Sequence, residues 1–216
     1  MDTIITKENS DINQLLIEGI QSLNLTLPPE ALQKVTTYIN LINKWNKVYN
    51  LTAARSDKEL IINHVLDSLS IVPYIKGPEI LDVGSGAGFP GIPLALALPK
   101  CNFTLLDCLN KRTRFLNQVI IELQLTNVII VLQPIEKFHT EKHFTDIVTR
   151  ATYSISDMID KVKHLCCNNT QLLMMKGKYP EQELAEITIP YTVHKLQVPS
   201  LDAERNLVNF TFHEIK

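Results

Sequence analysis

The sequence has few of the features that mark fibrous, disulfide-bonded or membrane-spanning proteins. Its 216 residues include only 7 Gly and 4 Cys, and aromatic residues make up 6% of the chain. With 45% hydrophobic residues, the composition excludes collagen-like and wholly disordered chains. No uncharged apolar run approaches the roughly 20 residues of a membrane helix, and residues 1–16 lack the apolar core of a secretory signal. We expect a globular, cytoplasmic protein without membrane contact.

A large excess of charge of either sign is also absent. The chain has 21 Lys and Arg against 23 Asp and Glu, a formal net charge of -2, so no global positive field attracts nucleic acid. Any contact with RNA must therefore be local. The four cysteines show no Cys-x-x-Cys spacing, which predicts reduced thiols rather than a zinc site or a disulfide framework. We expect no bound metal, and a monomer.

The chain changes character near Gly77-Pro78. Before this point, apolar residues recur every three or four positions, which predicts a helix that starts after Pro28-Pro29 and ends near Asn50. A second helix is predicted from about Asp57, and a weaker one from Asp11 to Leu23. The sequence thus predicts a helical extension over residues 1–76, packed on a domain of residues 77–216.

After Gly77, short apolar runs alternate with segments of helical length. Alternation of this kind predicts a mostly parallel seven-stranded sheet with helices on both faces, which is the Rossmann-like α/β class. The last two runs lack a convincing helix between them, so we expect an antiparallel hairpin at the sheet edge. The predicted strands are 80–83, 103–106, 128–132, 147–149, 172–175, 193–198 and 207–212, and the predicted helices are 90–98, 111–123 and 154–165.

The strongest local signal is a strand that runs into a glycine turn and then a helix, over residues 80–91. Gly84, Gly86 and Gly88 let the backbone approach a ligand closely, and the helix start favours polar or anionic ligand groups. Residues 86–91 also match G-x-G-x-x-G, the dinucleotide spacing. Asp82 would repel a pyrophosphate but suits the ammonium of a methionine-type amino acid. The loop therefore favours S-adenosylmethionine over NAD.

Three further positions fall at predicted strand ends, where ligands bind in parallel sheets. Asp107 can accept hydrogen bonds from both ribose hydroxyls of an adenosine ligand, or it can cap the following helix. Ile135 and Glu136 fall where an adenine ring would lie, and Arg150 falls at the rim of the same crevice.

The chain resembles the bacterial glucose-inhibited division protein B family, methyltransferases that modify guanine N7 in small-subunit (16S) ribosomal RNA. The resemblance covers nearly the whole chain and is jointly specific. It rests on residues 44–47, Asn50-Leu51-Thr52, His64, Leu66-Asp67-Ser68, 82–91, Leu105-Leu106-Asp107, Lys111-Arg112, Arg114-Phe115-Leu116, Arg150-Ala151, Lys176-Gly177, Glu204-Arg205 and Leu207-Val208.

The resemblance implies a class I methyltransferase fold and assigns cofactor-binding positions to Gly84, Phe89, Ile135, Glu136 and Arg150. Two departures stand out. Asn63 stands where relatives commonly have a basic residue, and Ala203 stands where they commonly have Gly. Neither position belongs to the cofactor loop.

Guanine N7 carries a lone pair and no proton, so methyl transfer needs placement rather than a general base. We therefore predict no acid or base residue, and the candidates for placement are Arg150, Lys176, His64 and Asn50. For His64 a structural role on a helix is the preferred interpretation, and Asp67 and Asn50 are candidates for either a guanine contact or helix packing. A ribosomal particle is the expected substrate, because the net charge favours weak binding of free RNA. The candidate RNA-binding residues are Lys44, Lys47, Arg55, Lys111, Arg112, Arg114, Lys176, Lys178 and Arg205.

Two alternatives remain open. One is a catalytically idle adenosine-binding protein that regulates through its helical extension. The weaker one is an NAD-linked oxidoreductase, which only the embedded G-x-G-x-x-G spacing supports.

Overall fold

The computed structural model describes the backbone of residues 2–150 and 153–213, with side chains from residue 12 onward. Ala151, one of the residues that carry the family resemblance, lies outside the described residues. The chain begins with helices. They are α1 (Asp2–Ser22), α2 (Ala31–Tyr49) and α3 (Asp57–Leu60), which continues through a π-helical segment (Ile61–Leu66) into α4 (Asp67–Leu69), followed by a 3-10 turn (Val72–Tyr74).

Helix α2 confirms the prediction from the apolar stripe. It starts just after Pro28-Pro29 and ends where Asn50 adopts a left-handed φ of 47° and donates its backbone N–H to the Asn46 carbonyl. The predicted start of α1 near Asp11 is wrong, because the helix begins at Asp2. Residues 2–10 lack the continuous apolar stripe on which the sequence criterion depends, yet the helix continues through them.

The rest of the chain alternates strands and helices, as predicted. The elements are β1 (Glu79–Val83), α5 (Gly91–Ala97), β2 (Asn102–Asp107), α6 (Asn110–Leu123), β3 (Val128–Leu132), β4 (Asp146–Thr149), α7 (Ile155–Val162), β5 (Gln171–Lys176), α8 (Glu181–Leu184), β6 (Tyr191–Lys195) and β7 (Asn206–Thr211), with 3-10 turns at Ile135–Lys137 and Lys163–Leu165.

These strands form one seven-stranded sheet in the order β3-β2-β1-β4-β5-β7-β6. Strands β1 to β5 are parallel, while β7 runs antiparallel to both β5 and β6. The mostly parallel sheet and its antiparallel edge hairpin are thus confirmed. The predicted extension of β6 to Val198 is wrong, because pairing with β7 ends at Lys195 opposite Asn206. Leu196 and Val198 instead bury their side chains in the following loop.

The N-terminal helices share a hydrophobic core with one face of the sheet. Val35 and Ile42 of α2 lie in the same buried cluster as Phe103 and Leu105 of β2, whereas Leu106 lies in a second cluster on the other face. The division into an extension and a separate domain stays a prediction. This packing brings the loop between α2 and α3 to the carboxyl ends of the strands. None of the helices among the described residues is long and apolar enough to cross a membrane.

Candidate active site

A cavity of about 440 Å³ opens at the carboxyl ends of β1, β2, β3 and β4. Five segments of the described part of the chain line it. They are residues 51–53 with His64, residues 83–87 with Phe89, residues 106–108 with Arg112, residues 133–136, and Arg150 with Tyr153. Most of the predicted cofactor positions therefore face one cavity.

The glycine loop is anchored by β2. The backbone N–H groups of Gly84 and Ser85 donate to the Leu106 carbonyl, at 2.8 and 3.2 Å. Gly84 and Gly86 have φ of 73° and 60°, a conformation that L side chains rarely adopt. A Cβ on Gly86 would meet only the Gly84 carbonyl oxygen, at 3.9 Å, so the space beside this residue is open to a ligand.

Helix α2 supports the loop from behind. The Tyr38 hydroxyl donates to the Ala87 carbonyl at 2.5 Å, and its ring packs 5.4 Å from that of Phe89. Burial raises the pKa of Tyr38, which keeps the hydroxyl protonated as a donor. Gly88, a predicted cofactor position, lies behind the cavity, where a Cβ would approach the Tyr38 hydroxyl to 2.8 Å. Gly88 therefore allows the close packing of the loop against Tyr38.

Asp82 lies beneath the loop and is fully buried, outside the lining of the cavity. Its Oδ2 accepts the backbone N–H of Gly91 at 3.0 Å, and its Oδ1 has no hydrogen-bond partner among residues 2–150 and 153–213. Burial raises the pKa of Asp82 to about 7, against the opposing effect of the Gly91 N–H. Direct contact between Asp82 and a ligand ammonium stays a prediction.

Asp107 ends β2 and uses both carboxylate oxygens. Oδ1 accepts the Leu109 N–H and Oδ2 accepts the Gly86 N–H, both at 2.9 Å. Leu109, not Asp107, occupies the cap position of α6, so the helix-cap interpretation of Asp107 is wrong. Arg112 pairs with Asp107 Oδ2 at 3.2 Å and lines the cavity, although its side chain is 37% exposed.

Residues 133–136 form one wall of the cavity. Ile135 is buried and offers an apolar surface, while the exposed carboxylate of Glu136 pairs with Lys161. Gln133 and Pro134 complete this wall.

This geometry fits S-adenosylmethionine. The open space at Gly86 suits the methionine moiety, and the unpartnered Asp82 oxygen lies beneath the same loop. Asp107 is a buried acceptor of the kind that ribose hydroxyls need, and Ile135 is an apolar surface of the kind that a flat base needs. Their contact with the cofactor stays a prediction. The ion pair between Asp107 and Arg112 makes this part of the cavity polar, which suits a polar group of the ligand.

A second cavity of about 720 Å³ adjoins the first. His64 and Arg150 line both cavities, so they stand at the junction. The remaining lining of the second cavity consists of Asn63, Asp67, Met175, Lys176, Gly177, Leu201, Ala203 and Arg205. Both departures from the family pattern, Asn63 and Ala203, thus lie here.

Arg150 contacts several residues at the junction of the two cavities. Its Nη2 lies 2.9 Å from His64 Nδ1, and its Nη1 donates to Asp67 Oδ2 at 3.1 Å. Its guanidinium carbon lies 5.2 Å from the centre of the Phe89 ring, and the His64 ring stacks on Phe89 at 4.8 Å. His64 Nε2 lies 2.8 Å from Thr52 Oγ1. Burial, reinforced by the charge of Arg150, lowers the pKa of His64 from 6.5 to about 4, so the ring is neutral.

Two of the predicted placement residues have other surroundings. Lys176 lines the second cavity, but its Nζ pairs with the Glu183 carboxylate at 2.9 Å and donates to the Tyr153 carbonyl at 3.2 Å. Asn50 caps α2 and lies outside the linings of both cavities. A direct role for Asn50 stays a prediction.

The predicted RNA-binding cations other than Lys176 divide into two groups. Arg112 and Arg205 pair with buried aspartates at the cavities. The others apart from Lys176 are exposed, and Lys111 Nζ donates to the Tyr49 carbonyl at 3.3 Å, which brings the start of α6 to the end of α2. We call Lys44, Lys47, Arg55, Lys111 and Arg114 the basic surface.

Sequence reasoning missed several lining residues. Thr52 lines the first cavity, but a loop hydroxyl gives no periodic or charge signal that would indicate this position. The pairing of Asp67 with Arg205 joins residues 138 positions apart, and no local spacing predicts it. Among the described residues, no three His, Cys, Asp or Glu side chains come together as a metal site would require.

Comparison with known proteins agrees with this geometry. A family model described as "rRNA small subunit methyltransferase G" matches residues 31–208. The protein named ribosomal RNA small subunit methyltransferase G from Coxiella burnetii is 44% identical over 197 residues, covering 91% of this chain and 97% of that protein. Its namesake from Enterobacter sp. is 41% identical over 192 residues, covering 88% and 93%.

Solved structures show the same fold at low identity. A SAM-dependent methyltransferase from Aquifex aeolicus superposes with a TM-score of 0.56 at 17% identity, covering 78% of this chain and 97% of that one. The N-methyltransferase NodS from Bradyrhizobium japonicum, in complex with S-adenosyl-l-homocysteine, gives a TM-score of 0.53 at 16% identity, covering 82% and 99%.

Fold and site together define an S-adenosylmethionine-dependent methyltransferase of the Rossmann-like class I. Within that class, the match over residues 31–208 and the identities above 40% show that the chain belongs to the rRNA small subunit methyltransferase G family.

Proposed function

We propose that this protein transfers a methyl group from S-adenosylmethionine to N7 of a specific guanine in 16S ribosomal RNA, within a ribosomal particle. The observation that carries the proposal is the meeting of two cavities at His64 and Arg150. One cavity fits the cofactor, and the other is large enough for a nucleotide. Methyl transfer requires this arrangement, because donor and acceptor must be in line at short distance.

The chemistry at the junction agrees with an acceptor that needs no deprotonation. Bound cofactor supplies an electrophilic methyl group on a sulfonium, and guanine N7 has a free lone pair. His64 is neutral, with both ring nitrogens in hydrogen bonds, and it presents no free base. We infer that Arg150, His64 and Phe89 orient the reactants through hydrogen bonds and stacking. Such placement contributes up to roughly 7–11 kcal/mol of barrier reduction.

The cofactor is held, in this proposal, by residues of the first cavity. Asp107 accepts from the ribose, Ile135 and Glu136 flank the adenine, and the loop from Gly84 to Phe89 encloses the methionine moiety. The low net charge supports a particle rather than free RNA as substrate. Lys176 of the second cavity is already paired with Glu183, and Arg112 of the first cavity is paired with Asp107.

The test is methylation of small ribosomal subunits by the purified protein with radiolabelled cofactor, followed by mass mapping of the 16S nucleosides. We expect label in a single 7-methylguanosine. Gly86→Val is the matched negative control, because a β-branched residue at φ 60° is strained and fills the open space of the loop. Cofactor binding without methylation of subunits or deproteinised RNA would instead favour an idle adenosine-binding protein.

A further inference from the structure

Asp67 is a buried carboxylate whose two oxygens hold two guanidinium groups from distant parts of the chain. Oδ2 accepts from Nη1 of Arg150, and Oδ1 accepts from Nε of Arg205, both at 3.1 Å. Arg150 follows β4, Arg205 precedes β7, and Asp67 begins α4. The Asp67 side chain is 2% exposed, whereas those of Arg150 and Arg205 are 23% and 24% exposed. The carboxylate is thus almost inaccessible to solvent, while the two cations that it holds are partly exposed.

We propose that Asp67 is a positioning residue for the RNA substrate, which fixes Arg150 and Arg205 as a pair on the wall of the second cavity. This inference rests on the proposed function, since it assigns the second cavity to the target nucleotide. The ligand of the pair is an anionic or hydrogen-bond-accepting part of that nucleotide, its phosphate or the acceptor edge of the base.

The charge count supports a site for an anion. One carboxylate shared by two guanidiniums leaves one positive charge uncompensated at the wall of the cavity. Lys176, the third cation of this wall, is already paired with Glu183. The excess positive charge of the second cavity is therefore concentrated at the two arginines held by Asp67.

Anchoring the two arginines lowers the entropic cost of binding RNA. A free arginine side chain has several rotatable bonds, and it loses conformational freedom when it binds RNA. Asp67 restricts this freedom before RNA arrives, and it is the one group that contacts both guanidiniums among the described residues. Arg150 is held in addition by the Asn63 carbonyl at 3.1 Å and by His64 Nδ1 at 2.9 Å. Burial raises the pKa of Asp67 while the two arginines oppose that rise. Burial of a carboxylate is costly, and replacement of buried ion pairs by apolar groups is often neutral, so stability alone gives little reason for this arrangement.

The first test compares Asp67→Asn with Asp146→Asn. Asp146 is an equally buried carboxylate that also anchors separate segments, with the Gly77 N–H at 2.6 Å and the Gln171 amide at 2.8 Å, but at the amino end of the sheet. We expect Asp67→Asn to lower kcat/KM for small subunits at least about tenfold, mainly through KM. Calorimetry should show cofactor affinity within twofold of the unaltered protein. Asp146→Asn should lower the melting temperature and leave kcat/KM unchanged.

A mutant cycle with Arg205→Ala separates positioning from stability. If Asp67 acts through the arginines, the double variant should lose clearly less kcat/KM than the product of the two single losses predicts. Effects that multiply, or normal kcat/KM in folded Asp67→Asn, would overturn the inference.

A further variant covers the case in which Asp67→Asn does not fold. Arg205→Lys keeps the charge but loses the fixed guanidinium geometry, and it should reduce kcat/KM several-fold. Wild-type kcat/KM in this variant would overturn the inference. If the unaltered protein methylates no small-subunit RNA, the proposed function itself is refuted. This result differs from a failure of the inference alone, in which the unaltered protein is active and the variants are equally active.

Discussion

Nη2 of Arg150 donates a hydrogen bond to Nδ1 of His64 across 2.9 Å. A guanidinium has donors only, so Nδ1 must be the acceptor and Nε2 must carry the ring proton. Nε2 then donates to Thr52 Oγ1 at 2.8 Å. This tautomer requires a neutral imidazole, in agreement with the low pKa of about 4. The His64 ring between the two cavities is therefore neutral and held in one orientation, and it does not act as a proton carrier.

The lowered pKa of His64 predicts a loss of stability in acid. The folded protein keeps the ring unprotonated down to about pH 4, whereas the unfolded chain binds a proton below about pH 6.5. The free energy of unfolding should therefore fall between pH 6.5 and 4, by at most about 3 kcal/mol from this residue. Urea unfolding of the protein and of His64→Gln at pH 7.5 and 4.5 measures the difference. The same decrease in both proteins would contradict the assignment.

Asp82 predicts proton release when the cofactor binds. Its pKa of about 7 leaves the carboxyl about half protonated at neutral pH, and a nearby positive charge lowers a carboxyl pKa. We expect binding at pH 7 to release up to about half a proton per site. Calorimetry in two buffers of different ionisation enthalpy measures this number.

Two controls belong to the Asp82 experiment. At pH 9 the carboxyl is already ionised, so the release should disappear, and Asp82→Asn should abolish it at pH 7. Identical apparent enthalpies in both buffers at pH 7 would show that the cofactor charge does not reach Asp82.

Asp107→Asn should weaken cofactor binding at least several-fold. An amide keeps one acceptor oxygen, so it cannot serve the N–H groups of both Leu109 and Gly86 while offering charged acceptors to a ribose. Arg112→Ala is the matched control, since it removes the ion pair but leaves both backbone hydrogen bonds in place. We expect a smaller loss of affinity for Arg112→Ala. Unchanged affinity in Asp107→Asn would limit Asp107 to a role in holding the glycine loop.

The sequence predicted those parts of the site that follow from strand ends. Gly84, Asp107, Ile135 and Arg150 meet at one cavity because parallel strands present their carboxyl ends at the same edge of a sheet. This placement requires only that each residue follows a parallel strand. Hydrophobic periodicity and turn residues, which locate the strand ends, were therefore sufficient to predict it.

Side-chain pairing was beyond sequence reasoning. Arg112 and Lys176 were predicted as cations for RNA, but each is paired with a carboxylate that folding brings near. The partners of Asp67 come from positions 83 and 138 residues away. Such contacts arise from how the N-terminal helices pack on the sheet, and no local pattern encodes them.

The exposed cations of the basic surface should contribute to capture of the ribosomal particle rather than to chemistry. Lys47 and Lys111 lie on α2 and α6, which the hydrogen bond between Lys111 and the Tyr49 carbonyl joins. The double variant Lys47→Ala/Lys111→Ala should bind small subunits more weakly and reduce the salt dependence of binding, by about one unit of slope or slightly less per lost phosphate contact. Cofactor affinity and the rate at saturating subunit concentration should not change.

The control for the basic surface removes the same charge at the opposite end of the sheet. Lys100 precedes β2 and Lys142 pairs with Glu79 at the start of β1, so Lys100→Ala/Lys142→Ala changes the net charge equally but far from both cavities. Methylation rates against subunit concentration at several salt concentrations compare the two variants. If capture is local, only Lys47→Ala/Lys111→Ala lowers the slope. Equal slopes for both variants would show that the basic surface makes no local contact with RNA, and the contacts would then have to be sought elsewhere, first at the second cavity.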